Sequence, residues 1–563
     1  MKMRIYKKIV VVLTLFFTVG CTDLIDLAPE DTLTYESFFQ SERDAEALLN
    51  SLESSMKNVA WDAHDMIGCI ADNITNSWYV NLRNLAGYTN NWTLMYNKTL
   101  SYADMIIENV SRFPEPEKMQ PYVLQAYFAK GLTYFQLAKF WGEVPIKRGA
   151  TYDLEKLPKS TIPEVLEVAT DYALKALDLP KFEELKDYTG TARPQKQYGS
   201  KGAAAALLAH LYAWRAAIEE KPEYWAEAEK YCTMIIEGET GYYELATDPE
   251  KVCTEVMLRN SGESIFEFSN DRSVNRFFQN TSLYQSIDYV GFPIMSESYK
   301  MPNTSYTFEI YKTTVNDMFE KSDKRRDAYF GGIDADYFYV VRDTLTNVVK
   351  QCYSIDDGLE TKYFLYDRDG HATVQMKQLL EKNERIDSRY ANGSIKKALV
   401  AKFRYPFYVK YDWSPTESFV MMDQARIHWR LADIILLRAE CRVRKTNPDR
   451  NGAIEDLNSI RQRAYGNNSR DYPCADDQAR GLASDLQKAI FREREKELMF
   501  EGHRYYDVVR NGWDYVRTEL PPAFATLTDQ DIHDGALYLI VGQQAFDNND
   551  LMRQNVYWDR KNN

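Results

Sequence analysis

The stretch AIFREREKELMFEGHRYYDVVRNG, Ala489 to Gly512, decides how this chain is read. Glu493, Glu497 and Glu501 recur at four-residue intervals, with His503 and Asp507 close behind. In a hydrolase, paired carboxylates and a histidine supply the general acid and base. Here Arg492, Arg494, Lys496, Arg504 and Arg510 interleave the acids, and Arg461 and Arg463 stand one helix upstream. A carboxylate held by a guanidinium has its pKa pushed down, the wrong direction for a general acid. The stretch therefore predicts an ion-pair ladder rather than a catalytic centre.

Outward from it the sequence is mostly helical. In RLADIILLRAECRVRKTNPDRNGAIEDLNSIRQRA (Arg430–Ala464), Ala432, Ile435, Leu436, Ala439 and Val443 form one apolar stripe. Ala453, Leu457, Ile460 and Ala464 form the next. An earlier pair, GAAAALLAHLYAWRAAIEEKPEYWAEAEKYCTMII (Gly202–Ile236), sets Ala204, Leu207, Leu208 and Leu211 against Trp225, Ala228, Tyr231 and Ile235, with Pro222 at the turn. Small residues where helices cross, at a repeat of about 34 residues, resemble a tetratricopeptide unit. The repeats are degenerate and far apart, so a pure solenoid is not expected. YVLQAYFAKGLTYFQLAKFWGEVPI (Tyr122–Ile146) predicts a long helix ended by Gly142 and Pro145. Ser41 and Asp44 have capping-box spacing ahead of Ala45, Leu48, Leu49, Leu52 and Met56, which share one helical face. Residues 240–425 differ: ESIFEFS (Glu263–Ser269) and KFRYPFYVKY (Lys402–Tyr411) are short and β-like, with Gly, Asn, Asp and Tyr in irregular order between them. Long loops on a helical frame are where binding usually resides.

The chain begins with the basic octet MKMRIYKK, then an apolar run of 11 residues, Ile9–Val19, then Gly20 and Cys21. A spanning helix needs roughly 20 apolar residues, so this is a secretory signal. The cysteine after a small residue resembles a bacterial lipoprotein signal, with residues 1–20 removed and Cys21 acylated. Position −3 from the cysteine is Thr18, where Leu is usual. A plain signal peptide with a chance cysteine is the other reading. The formal net charge of −14 argues against nucleic acid or anionic lipid as partner. The six later cysteines are scattered with no CxxC, and read as small hydrophobes rather than a metal or disulfide framework. Six histidines include no HExxH, and no glycine-rich nucleotide loop or GxSxG is present. No cofactor or metal is therefore expected. The 40 Tyr, 26 Phe and 10 Trp are an unusual aromatic content, most of which a large helical core would use. Flat rings with a polar tip suit a hydroxylated ligand as well as a core.

Four stretches, in order along nearly the whole chain, resemble the SusD/RagB family of surface lipoproteins of Bacteroidota. They are CTDLIDLAPEDTLTYESFFQSERDAEALLNS, YFAKGLTYFQLAKFWGEVP, WRLADIILLRAECRV with AIEDLNSIRQRA, and the opening stretch, which is the most specific. DMFEKSDKRRDAYF (Asp317–Phe330) and the C-terminal NNDLMRQNVYW agree; the usual PIP before the latter is Ile540-Val541-Gly542 here. The resemblance implies a mostly α, SusD-like fold, with tetratricopeptide-like helix pairs as a frame and an irregular, loop-rich part with short strands. Residues 21–563 would form one such domain, with the frame at about 36–237 and 425–515 and the ligand-binding part at about 240–425. It implies a non-catalytic protein, lipid-anchored in the outer membrane and facing outward. Such proteins capture oligo- or polysaccharide, or peptide in some branches, for a SusC-like TonB-dependent transporter. A surface hydrolase and a purely structural repeat protein are the competing classes.

The family has no invariant ligand motif, so candidates come from chemistry. In DMIGCIADNITNSWYVNLRNLAGYTNNWTLMY (Asp65–Tyr96), Trp78 and Trp92 sit among Asp72, Asn73, Arg83 and Asn91, with Trp61 just upstream. An aromatic face covers the apolar side of a sugar ring while amide, carboxylate and guanidinium groups satisfy its hydroxyls. Trp78 and Trp92 plugging the core beneath a polar loop is the competing use. Tyr284, Tyr289 and Tyr299, in a Ser/Asn-rich stretch, form the second set; Trp413 is a weaker candidate.

Overall fold

The computed structural model describes residues 38–59, 90–149, 156–269 and 310–345, short segments between 349 and 422, and 424–562 apart from 548. Helix α1 (Glu42–Val59) starts where expected: the Asp44 carboxylate accepts from the Ser41 N–H and hydroxyl, both at 2.9 Å. Ala45, Leu48, Leu49, Leu52 and Met56 are all buried. A helical turn at Asn90–Leu94 winds through Met95–Leu100 into α2 (Ser101–Glu108). Helix α3 (Gln120–Trp141) is apolar almost all round, the mark of a helix surrounded by others. Its backbone runs so close to α4 (Ile162–Ala176) that a Cβ on Gly131 would stand 3.0 Å from the Ala173 nitrogen. Gly142 closes α3 at φ 73°, a conformation that glycine adopts without a Cβ penalty.

Helices α5 (Lys201–Ile218) and α6 (Tyr224–Ile236) form the first expected pair, with Pro222 in the turn. The alanine run Ala203–Ala206 and Ala209 is fully buried, letting α5 pack between α4 and α6. The second pair comes much later: α9 (Leu431–Arg444) and α10 (Arg450–Tyr465), with α9 against α6, so the two pairs form one row. Between them in sequence lie α7 (Lys312–Met318) and α8 (Lys324–Tyr329). Beyond them lie α11 (Leu486–Glu497), packed on α9, and α12 (Arg504–Asn511).

The part between the pairs holds more strand than its irregular sequence suggests. Strand β1 (Ser264–Phe268) pairs antiparallel with the last, Arg426–Arg430. In between, β2 (Ile310–Tyr311) and β3 (Phe330–Gly331) flank Lys397–Val400. Tyr337–Asp343 sits between Val349–Ser354 and Glu384–Ala391. Lys362–Tyr366 pairs with Ala372–Met376, and Pro406–Lys410 with Glu417–Met422. The β-branched and aromatic run Tyr337–Val341 carries the missed signal.

Two buried apolar clusters result. The larger lies under the helix row. The smaller gathers Val252, Cys253, Val256 and Met257 with Ile310, Phe319, Phe330 and Val400. Residues 489–512 join them: Ile490 and Phe491 belong to the first, Met499 and Phe500 to the second.

Candidate functional site

The acids of the opening stretch lie at that junction. Helix α11 ends at Glu497, and Phe500 and Gly502 take φ of 64° and 83°. The chain turns there, so Glu501 leaves the helical register that the four-residue spacing predicted. It reaches the same cluster through the turn. Glu497 is 0% exposed, and meets Arg430 at 2.7 Å, Arg325 at 3.4 Å and Arg463. Glu501 meets Arg430 at 2.7 Å and Lys402 at 2.5 Å. Glu493 meets Arg325 at 2.7 Å and Arg461 at 2.9 Å. Glu263, at the start of β1, meets Arg430 at 2.6 Å and Arg463 at 3.0 Å. Asp323 caps α8 by accepting from the Arg325 N–H and pairs with its guanidinium at 2.8 Å. The sequence signal was sound in kind but understated: the ladder is a buried hub tying β1, α8, α10 and α11 together.

Electrostatics follow the geometry. Burial alone pushes the Glu497 carboxyl up, but Arg463, Arg430, Arg325 and Lys402 together outweigh it and hold it well below the usual range. Glu493 and Glu501 are lowered against burial in the same way, by Arg325 and Arg461 and by Arg430 and Lys402. A second knot lies alongside. Arg494 meets Asp433 at 2.8 Å and Asp507 at 2.9 Å, and Arg510 meets Asp507 at 2.7 Å and Glu440 at 2.6 Å. Burial opposes ionisation of Asp507, yet Arg494 and Arg510 bring it to about 2. Asp433 also lies 2.8 Å from His210 Nε2, and the His210 ring stacks over His503 at 6.2 Å. Burial pushes His503 down to about 4. A general acid must still hold its proton near neutral pH; these carboxyls are ionised there, their negative charge stabilised by guanidinium partners. Among the described residues, no group of three His, Cys, Asp or Glu is placed to hold a metal ion, and no helix is long and apolar enough to cross a membrane.

Of the residues expected to touch ligand, Asn91 and Trp92 fall among those described. Both are core residues, which corrects the expectation for them. Trp92 is 6% exposed, tilted on Tyr96 at 4.9 Å and edge-on to Trp141 at 5.2 Å. The helical turn at Asn90–Leu94 sets positions 92 and 96 on one face, toward α3. Asn91 is fully buried beside it. Cys21, Asp72, Asn73, Trp78, Arg83, Tyr284, Tyr289, Tyr299, Trp61 and Trp413 lie outside the described residues. The described surface offers exposed rings that sequence reading did not single out: Tyr188, Tyr311, Trp513 and, most of all, Tyr242, 69% exposed. Tyr242 follows Gly241 in the turn after α6. Its hydroxyl donates to Glu244 at 2.9 Å and its N–H to Glu183 at 2.9 Å. A ring beside glycines in an inter-helix turn was the available signal.

A row of helix pairs, a strand- and loop-bearing insertion, and a guanidinium-locked hub between them define a helical scaffold protein. Residues 263–562 match the model of the SusD family. Residues 30–213 match a model described as starch-binding, associating with the outer membrane. The chain belongs to the SusD family. It is 22% identical to SusD-like protein P2 of Formosa agariphila over 526 residues, 89% of this chain and 90% of the relative. It is 31% identical to SusD-like protein P25 of the same organism over 143 residues, 25% of each chain. A solved SusD homologue from Bacteroides thetaiotaomicron superposes with a TM-score of 0.64 at 20% identity, covering 92% of this chain and 98% of that one. NanU of Bacteroides fragilis gives 0.60 at 18%, covering 93% and 99%. At these identities the solved structures bear on the fold alone.

Proposed function

We propose that this protein is a non-catalytic glycan receptor for nutrient uptake, anchored through an acylated Cys21 to the outer face of the outer membrane. It captures oligo- or polysaccharide and hands it to a SusC-like TonB-dependent transporter. Family membership is the observation that carries the reading, since one of the two matching models is described by starch binding and outer-membrane association. The hub supports the non-catalytic part: its acids are ionised and held by guanidinium groups, so none is poised to donate a proton.

Ligand contacts are assigned to Asp72, Asn73, Trp78, Arg83, Tyr284, Tyr289 and Tyr299, on the chemistry of rings flanked by hydrogen-bonding groups. Covering roughly 40–60 Å² of apolar sugar surface on one ring contributes about 1–1.5 kcal/mol. Two or three rings with hydrogen bonds, less the cost of association, give about −4 to −7 kcal/mol, or millimolar to tens of micromolar. Such weak binding suits capture and release, and a long glycan with several contacts raises the effective affinity. Affinity gels and calorimetry across plant, host and microbial glycans test the reading. Saturable binding of at least one glycan is expected. Binding of peptides with none of the glycans would replace sugar by peptide as cargo.

A further inference from the structure

A cleft of about 550 Å³ opens between α7, the end of α10, the short helix Ala475–Ala479 and the outer side of α11. Its walls carry ten charged side chains, yet the acids are nearly all engaged. Asp477 is held by Arg461 at 2.7 Å and Asp476 by Arg480 at 2.9 Å. Glu493 is held by Arg325 and Arg461, and Glu495 by Arg492 at 2.9 Å and Arg504 at 3.0 Å. Two cations are left over. Lys488 and Lys496 are half-buried in the cleft, and neither forms an ion pair among the described residues. The Lys496 ammonium stands 5.8 Å from the Phe319 ring centroid. The remaining wall acid, Asp317, is exposed.

No carboxylate among the described residues lies within 4 Å of either ammonium, although the Lys496 charge acts on Glu320, Glu493 and Glu495 from further off, and a concave wall concentrates the field of both lysines. On α11 the two lysines are eight residues apart, about 12 Å along the axis. Arg492 lies midway, but its guanidinium already holds Glu495 and Glu519. The cleft thus presents two positive groups at a fixed spacing on a chain of net charge −14. We propose that it is a ligand site, lined by residues other than the candidates of Asp65–Tyr96 and the Tyr284, Tyr289 and Tyr299 set, which takes an acidic sugar chain. Carboxylates or sulfates on two separated sugars pair with Lys488 and Lys496. The need for two spaced anions rests on the cleft itself; the choice of sugar as their carrier rests on the glycan reading above.

Calorimetry on the whole protein tests this with three probes: an oligogalacturonate, maltohexaose and hexaglutamate, each at low and high salt. Oligogalacturonate is expected to bind, to weaken with salt, and to lose about tenfold in affinity in the double variant Lys488→Gln/Lys496→Gln. Lys488→Arg/Lys496→Arg retains binding. Neither lysine holds an ion pair, so the thermal midpoint of the double variant stays that of the parent. Unchanged affinity in that variant, no oligogalacturonate binding, or hexaglutamate binding in preference to the uronate would overturn the proposal. Lysine-dependent uronate binding in a protein that takes no neutral glycan from the panel would leave this site standing while removing neutral glycan as the cargo.

Discussion

Replacing Arg430 by Met tests whether the hub holds the two apolar clusters together. The side chain is fully buried and makes five contacts. Nε and Nη2 each lie 2.7 Å from Glu501, Nη1 lies 2.6 Å from Glu263 and 2.7 Å from Glu497, and Nη2 donates to the Glu497 carbonyl at 2.8 Å. Met fills much of the volume but leaves three buried carboxylates each short of a cation. None is orphaned: Glu501 keeps Lys402, Glu263 keeps Arg463, and Glu497 keeps Arg463 and Arg325. Breaking a buried pair from one side costs about 3–5 kcal/mol, and the retained partners place this variant at the lower end. Urea unfolding followed by tryptophan fluorescence reads the change, with the slope checked for two-state behaviour. The double variant Arg430→Met/Glu501→Gln restores the charge balance and recovers part of the loss. Lys156 and Asp550 also pair, at 3.0 Å, but in solvent, with 60% and 70% of their side chains exposed; Lys156→Ala is expected to leave stability unchanged. If Arg430→Met fell within about 1 kcal/mol of the parent, the hub would not be what joins the clusters.

Trp92→Ala removes a ring packed on Tyr96 and Trp141 and is expected to cost about 3–5 kcal/mol with glycan affinity unchanged; lost affinity at an unchanged unfolding midpoint would put the ring at the ligand. Stability is expected to fall as pH drops from 6.5 to about 4, because His503 is held neutral down to about 4 in the fold while the unfolded chain takes up its proton first. At about 1.4 kcal/mol per unit this one group contributes about 3 kcal/mol, so pH-resolved unfolding should show a slope there that His503→Gln flattens. Asp507, lowered to about 2, adds a further loss below its ordinary 3.8, again because the unfolded chain protonates first. Cys21→Ser should release the protein from the membrane fraction of its host, and retention there would refute acylation as the anchor.

The helical frame was legible because its signals are local and redundant. The Ser41–Asp44 cap, the alanine-rich crossing faces of α5 and the glycine stop at Gly142 each state their structure within a few residues. The hub was legible in kind, since alternating charges near a family signature imply pairing. Its partners Glu263, Asp323, Lys402 and Arg430 come from remote segments that no spacing rule connects. The break after Glu497 was hidden because Phe500 carries no turn signal of its own, and the fold imposes its positive φ. Trp92 shows the opposite failure. Asn91 and Asn90 beside it read as a polar loop, but a helical register turned the ring toward Trp141 and buried the amide of Asn91 as well. The strands Tyr337–Asp343, Val349–Ser354 and Glu384–Ala391 were missed because each is short, and the first pairs with the third across a long intervening segment that no local signal spans.

The most direct measurement follows a glycan that binds this protein through prolonged incubation, with bound ligand and newly formed reducing ends read from the same sample. Saturable binding with the chain length of the sugar unchanged is the predicted result. Reducing ends that accumulate steadily with time and protein concentration would contradict a receptor whose acids are locked to arginine.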